Sequence, residues 1–213
     1  VLPTTAFAIY DSSAIQGRVV GVAGIGIVIF FSVRSRYKPV FTWLYLVAAG
    51  VAGAFAALGA LQIGPLTSFI YKTSVSLRGQ YWLAGWNTGE ANPFFGAGMD
   101  AFGNWYRRSR DIRAIELPGT NTVVDASHNV PIDMFAFGGW PLFISYIFLM
   151  GIGGWAIIRA SLRAKQFDPI LAVLTSTWVG YQLQSIISIN QIGLAIWGWA
   201  LTGAVIAYEK STR

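Results

Sequence analysis

Long apolar runs almost free of charge divide this chain, and they restrict its possible folds more than any other feature. They can be read at about Val19–Val33, Val40–Leu61, Met134–Ile158, Ile170–Ile187 and Ile192–Tyr208. A run of roughly 18 or more apolar residues is long enough to cross the hydrocarbon core of a bilayer as a helix. The first run is short at its strict limits and begins near Ala14. A soluble protein with deeply buried helices would need amphipathic partner helices, and the sequence supplies none. Composition agrees. Charged residues make up 11% of the chain, against about a quarter in soluble domains, whose surfaces must stay wetted. The expected fold is therefore an all-α integral membrane protein with about five transmembrane helices. Glycine is frequent in the runs, where small residues let helix backbones approach.

The short connections set an expected orientation. Arg34, Arg36 and Lys38 lie between the first two runs, and Arg159, Arg163 and Lys165 between the third and fourth. Lys210 and Arg213 follow the fifth. All three segments fall on one face, which the positive-inside bias makes cytoplasmic. The segment Gln62–Asp133 and the tight turn Ser188–Gln191 then face outside; long loops weigh little in this rule. The expected division is residues 1–61 (an external segment and two spans), 62–133 (an extracytoplasmic loop with short helices) and 134–213 (three spans and a cytoplasmic tail). The first residue then lies outside, ahead of an odd number of spans and without a visible signal peptide. From this the chain is expected to be the C-terminal part of a longer membrane protein.

Other chemistries are narrowed by what the chain lacks. The net charge of +6 could suggest nucleic acid, but the basic residues sit beside helix ends and do not gather into one binding stripe. With no cysteine and one histidine, disulfides, thiolate metal sites and multi-histidine clusters are excluded. No visible cluster requires a metal, and no cofactor is expected.

The loop of 62–133 is too long for a simple connector, and it is rich in aromatic residues: Tyr81, Trp82, Trp86, Phe94, Phe95, Phe102, Trp105 and Tyr106. Such surface is expected to be packed or to lie at the membrane interface. Two short helices are predicted, at about Ser74–Trp86 and about Asp100–Arg113, separated by the turn Asn92–Gly98. On the first, Arg78, Trp82 and Trp86 recur every four residues and share a face. That face is either an interfacial anchor with Arg78 on lipid phosphate or an aromatic wall beside a binding site. Gly96-Ala97-Gly98 follows no strand, so it reads as a tight turn and not as a dinucleotide site. Arg107, Arg108, Arg110 and Arg113 form a dense cationic patch, which is either a solvated face drawn to anionic headgroups or a site for phosphate or acidic sugar. The single histidine, His128, stands just before the third span. It is either a hydrogen-bonded structural residue or a proton-transfer group of suitable pKa class. In the fourth span, Gln182, Gln184, Ser185, Ser188, Asn190 and Gln191 need polar partners, either other helices or a polar cavity.

Taken in order, Arg78 with Tyr81-Trp82, then Pro93-Phe94-Phe95-Gly96-Ala97-Gly98 with Phe102, then His128-Asn129, then Gly138-Gly139 resemble the O-antigen ligase and polymerase-like membrane proteins, the Wzy/WaaL-type group. The resemblance covers about Ser74–Trp155, and the remaining spans fit the C-terminal half of that family. It implies transfer of a glycan from an undecaprenyl pyrophosphate carrier to an acceptor outside the bacterial cytoplasmic membrane. The acceptor would be lipid A core, another glycan repeat or a protein hydroxyl. It further implies Arg78 as a stabiliser of the leaving pyrophosphate and His128 as the base toward the acceptor hydroxyl. One of Arg107, Arg108, Arg110 and Arg113 would be a second phosphate contact, with Trp82 and Asn129 also lining the site. Expected partners are the lipid-linked donor, the acceptor, membrane lipids, and either the missing N-terminal helices or another membrane subunit.

Three rivals stand beside it. Paired carboxylates of glycosidase type could draw on Asp100, Asp111, Glu116, Asp125 and Asp133, but no spacing fixes a pair. A small-solute transporter would place ionisable residues inside its spans, and here they lie outside. A non-catalytic subunit could use the aromatic loop to dock a partner.

Overall fold

The computed structural model describes residues 2–11, 15–60, 65, 73–116 and 118–212, and among these it contains helices and no strand. In chain order they are α1 (Leu2–Asp11), α2 (Ile15–Arg36), α3 (Pro39–Ala60), α4 (Thr73–Ala91) and α5 (Phe102–Ser109). A 3₁₀ turn follows at Ile112–Ile115, then α6 (Val130–Arg163), α7 (Pro169–Ile187) and α8 (Ile192–Ser211). Gln16–Arg36 of α2, and α6, α7 and α8, are long and apolar enough to cross a membrane. α3, also of 22 residues, is apolar along Pro39–Phe55. The exposed faces are themselves apolar, with Val22, Trp43, Phe148, Leu162 and Trp197 among them. That surface suits lipid as its solvent.

The chain divides into two compact units. The first comprises Val1–Thr42, Met150–Gln184 and Gln191–Arg213. Phe31, Ala160, Leu171 and Ala172 are buried at its core, with Ile27, Phe30 and Tyr208 against them. Its polar side chains bond between helices. Gln182 Nε2 donates to Met150 Sδ at 3.1 Å, Gln184 Nε2 to Gln16 Oε1 at 3.4 Å, and Trp178 Nε1 to Thr202 Oγ1 at 3.0 Å. Polar groups in lipid need such internal partners, so Gln182 and Gln184 join helices. Asp168 caps α7 by accepting the Leu171 N–H at 3.0 Å, with Pro169 at the first helical position, where its missing N–H costs nothing. The nearly buried Glu209 carboxylate pairs with Arg163 at 2.9 Å and Arg159 at 3.3 Å.

The second unit comprises Trp43–Leu149 and Ser185–Asn190. Tyr81, Ala84, Phe102, Tyr106 and Ala136 form its core, flanked by Leu77, Val124 and Phe137. On α5, Phe102, Tyr106 and Ser109 are buried at i, i+4 and i+7 while Asn104, Arg107 and Arg108 are exposed, the stripe of an amphipathic helix. The loop helices differ from expectation at their ends. The first runs a turn further, to Ala91. The second stops at Ser109, because Arg110 is extended (φ −69°, ψ 148°) and Asp111 caps a new 3₁₀ turn by accepting the Arg113 N–H. The predicted positions at Leu61–Gly64 and Leu66–Lys72 fall outside the described residues.

Near its start α6 is broken. Gly139 takes φ 65°, ψ −163°, which only glycine adopts without strain. Two helical hydrogen bonds are replaced there by bonds to the Pro93–Gly98 turn. The Trp140 N–H donates to Pro93 O at 2.7 Å instead of to Ala136 O, which accepts the Ala97 N–H at 2.8 Å. Pro141 has no N–H for Phe137 O, which accepts the Gly98 N–H at 3.1 Å. The carbonyls of Ala136 and Phe137 are thereby satisfied, as buried backbone requires. Two glycines of the sequence motif permit the approach: a Cβ on Gly96 would overlap the Phe137–Gly138 backbone, and one on Gly139 would overlap Pro93.

Candidate functional site

The site is built where α4 meets the segment entering α6. Asn129 caps α6: its Oδ1 accepts the Ile132 N–H at 3.1 Å, and its Nδ2 donates to Ile186 O at 2.9 Å. Asp133, 1% exposed in the first turn, accepts the Ser127 N–H at 2.7 Å. Ser127 Oγ donates to Asn129 O at 3.1 Å. These bonds fix the residues on both sides of His128 and hold it at φ 61°, a left-handed conformation that costs a non-glycine residue about 1–2 kcal/mol. Residues in sparsely populated backbone regions cluster at functional sites.

The His128 ring is oriented from two directions. Its Nδ1 lies 3.2 Å from Ala126 O. A carbonyl can only accept, so this hydrogen bond places a proton on Nδ1, and in the neutral tautomer it selects the lone pair is on Nε2. The ring packs on Tyr81 with centroids 5.4 Å apart, and Trp82 Nε1 donates to His128 O at 3.4 Å. Both aromatic residues project from α4. Gly85, on the same helix, lets the segment come close: a Cβ there would stand 2.9 Å from Ser127 Cβ and 2.6 Å from Ile132 Cγ2. One turn on, a Cβ at Gly89 would overlap the Phe135 ring.

Arg78 precedes Tyr81 and Trp82 by three and four residues and so shares their face of α4. It is half-buried, and burial holds its guanidinium below the ordinary value, although a guanidinium stays charged at neutral pH. Among the described residues it makes no hydrogen bond or ion pair. Burial also pushes the Tyr81 phenol up, so that ring stays neutral beside it.

The other four arginines are not alike. Arg113 is paired with Asp111 at 2.8 Å, and this bond holds the Asp111 carboxyl below the usual range. Arg110 lies over the Tyr106 ring at 5.9 Å and donates to Thr120 O at 3.2 Å. Arg108 lies over Trp105 at 5.8 Å. Arg107 is exposed and has no ion pair among the described residues. Trp86 does not join the Arg78–Trp82 group in bonding; it donates to Glu90 at 2.8 Å and packs on Phe135 and Trp140.

Of the residues singled out in the sequence, Tyr81 and Trp82 contact His128 and Arg78 shares their helix face by spacing; the sequence reading missed what supports them. Asp133 entered only as a possible half of a carboxylate pair, whereas it fastens Ser127. Gly85 and Gly89 are a small-xxx-small spacing, a packing signal visible in the sequence. Among the described residues no group of three His, Cys, Asp or Glu could hold a metal ion.

The family model described as O-antigen ligase matches residues 5–147, two thirds of the chain, including all of α4, His128 and the break at Gly139. No curated protein and no solved structure matches.

Proposed function

The chain belongs to the O-antigen ligase family, and from that premise we propose that it is a membrane glycosyltransferase acting on a lipid-pyrophosphate-linked glycan. The carrier is undecaprenyl pyrophosphate, and the acceptor is a hydroxyl of a lipid, a glycan or a protein outside the bacterial inner membrane. One observation carries this reading: Arg78 is a half-buried cation without an anion among the described residues, on the helix face whose aromatic residues hold His128.

In the reaction the acceptor oxygen bonds to the anomeric carbon as the bond from that carbon to the pyrophosphate breaks. The bonding pair leaves on the lipid pyrophosphate, and the acceptor proton passes to His128 Nε2. Arg78 stabilises the charge that grows on the leaving oxygens, where fixed cations count most. A pyrophosphate is already a good leaving group, so no protonated carboxylic acid is required. Arg107 and Arg108, both exposed, serve as further anion contacts, while Arg110 and Arg113 hold the loop itself. Trp82 lines the site, and Asn129 positions His128 through the helix cap.

The test is glycan transfer in cells complemented with the full-length gene. His128→Ala should lower transfer by about 10²–10⁴-fold, the usual contribution of a general base, and Arg78→Ala should also abolish product. Arg78→Lys should recover part of it, keeping the charge but not the forked donor geometry. Both alanine variants should remain in the membrane at normal abundance. Normal glycan length and attachment in both would overturn the assignment. Where activity is lost, accumulated full-length lipid-linked glycan marks a ligase, and unextended repeats mark a polymerase.

A further inference from the structure

We propose that the Pro93–Gly98 turn is a re-entrant tip whose Phe94 and Phe95 side chains insert into the lipid hydrocarbon at the bilayer face where α6 begins. Depth is the first support. From Trp140 to Ile158, α6 runs nineteen residues without a charge. At ~1.5 Å per residue this is about 28 Å, the thickness of the hydrocarbon core. Arg159 follows at one end. At the other stands Trp140, 39% exposed, a residue type enriched at the membrane interface. The turn is bonded to this boundary through the Trp140 N–H and the carbonyls of Ala136 and Phe137. It therefore sits at the edge of the core.

The chemistry of the turn is the second support. Phe94 is 71% exposed and Phe95 89% exposed, adjacent on a backbone that three hydrogen bonds hold still. Ala91–Met99 carries no charge. Lipid-exposed irregular backbone does not occur inside the hydrocarbon region, so the backbone of the turn stays at its boundary, bonded to α6, and the two phenyl side chains alone enter. The Gly96 N–H donates to Asn92 O at 2.8 Å, the N–H groups of Ala97 and Gly98 bond to α6, and Pro93 has no N–H while its carbonyl accepts from Trp140. In water, two such phenyl groups would leave a fixed apolar patch, the mark of an interaction surface. The insertion depends on α6 crossing the bilayer and on no step of the transfer chemistry.

The sequence has no cysteine, so a single thiol reports unambiguously. Phe95→Cys, and separately Phe94→Cys, would be made in the full-length protein with any other cysteine removed, then reconstituted in phosphatidylcholine vesicles and labelled with a polarity-sensitive dye. The dye should be quenched by phosphatidylcholine brominated on its acyl chains and not by aqueous iodide. A membrane-impermeant maleimide should react about ten-fold or more slowly than with Asn121→Cys, as expected of a site that favours hydrocarbon by the burial energy of one large side chain. Iodide quenching with a reaction rate equal to that of Asn121→Cys would place the tip in water and overturn the proposal. Protection from iodide and brominated lipid alike would show that protein covers the tip, which overturns it equally.

Discussion

At the scale of single residues, His128 unites a strained backbone with a lone pair on Nε2, and the two can be separated. Glycine at this position removes the left-handed penalty of about 1–2 kcal/mol but gives back roughly 0.4–1 kcal/mol through a more flexible unfolded chain. His128→Gly should thus unfold within about 1 kcal/mol of the parent in detergent. His128→Val, β-branched and least suited to φ 61°, should be less stable by about 1–2 kcal/mol or more. Both should lose glycan transfer. If His128→Gly were active, the imidazole would not be the base; if valine were as stable as glycine, the backbone would not be strained as described. The candidate residues stand out in the sequence, because a lone histidine and an arginine at helical spacing from aromatic residues are visible in one dimension. Their support does not. Asp133 reaches back six residues to the Ser127 N–H and Asn129 reaches Ile186 O, and only the closed loop brings those partners near. The same holds for the four loop arginines, alike in sequence yet distinguished by their partners: Asp111 for Arg113, Thr120 O for Arg110 and the Trp105 ring for Arg108.

At the scale of elements, the break in α6 and the Pro93–Gly98 turn are two halves of one feature. A glycine pair followed two residues later by Pro141 hints at an interrupted helix. Nothing local says that the freed carbonyls will be taken up by N–H groups some forty residues earlier. The glycines then separate by what a methyl group would meet. At Gly96 and Gly139 a Cβ combines positive φ with overlap on backbone that cannot move aside. At Gly98 φ is 98° but the nearest atom is Ala101 Cβ at 3.9 Å. Alanine at Gly96 or Gly139 should cost about 2–4 kcal/mol, from strain together with overpacking. Gly98→Ala should cost only the strain, about 1–2 kcal/mol. Thermal unfolding of the three variants in one detergent checks the order, and equal losses at all three would show that the backbone junction does not hold the turn.

At the scale of the whole molecule, the apolar runs announced the membrane fold because lipid leaves a chain few alternatives: a spanning segment must satisfy its own backbone. α2, α6, α7 and α8 are long and apolar enough to cross, and α3 has the same 22-residue length as α2. Sidedness rests on charge. Arg34 and Arg36 end α2 and Lys38 follows it, Arg163 ends α6 and Lys165 follows it, and Lys210 lies in the last turn of α8. Each Lys or Arg in a short connection favours the cytoplasmic side, whereas the arginines in and after α5 lie in a segment too long to obey that bias. With no native thiol in this chain, Lys165→Cys and Asn121→Cys can be compared in intact cells and in inverted vesicles. An impermeant maleimide should label Asn121→Cys only in intact cells and Lys165→Cys only in inverted vesicles. This outcome would put His128 on the side where a flipped lipid-linked glycan is presented. The reverse pattern would leave the His128–Arg78 site facing the cytoplasm, where the proposed transfer could not occur, even if every local contact around it were correct.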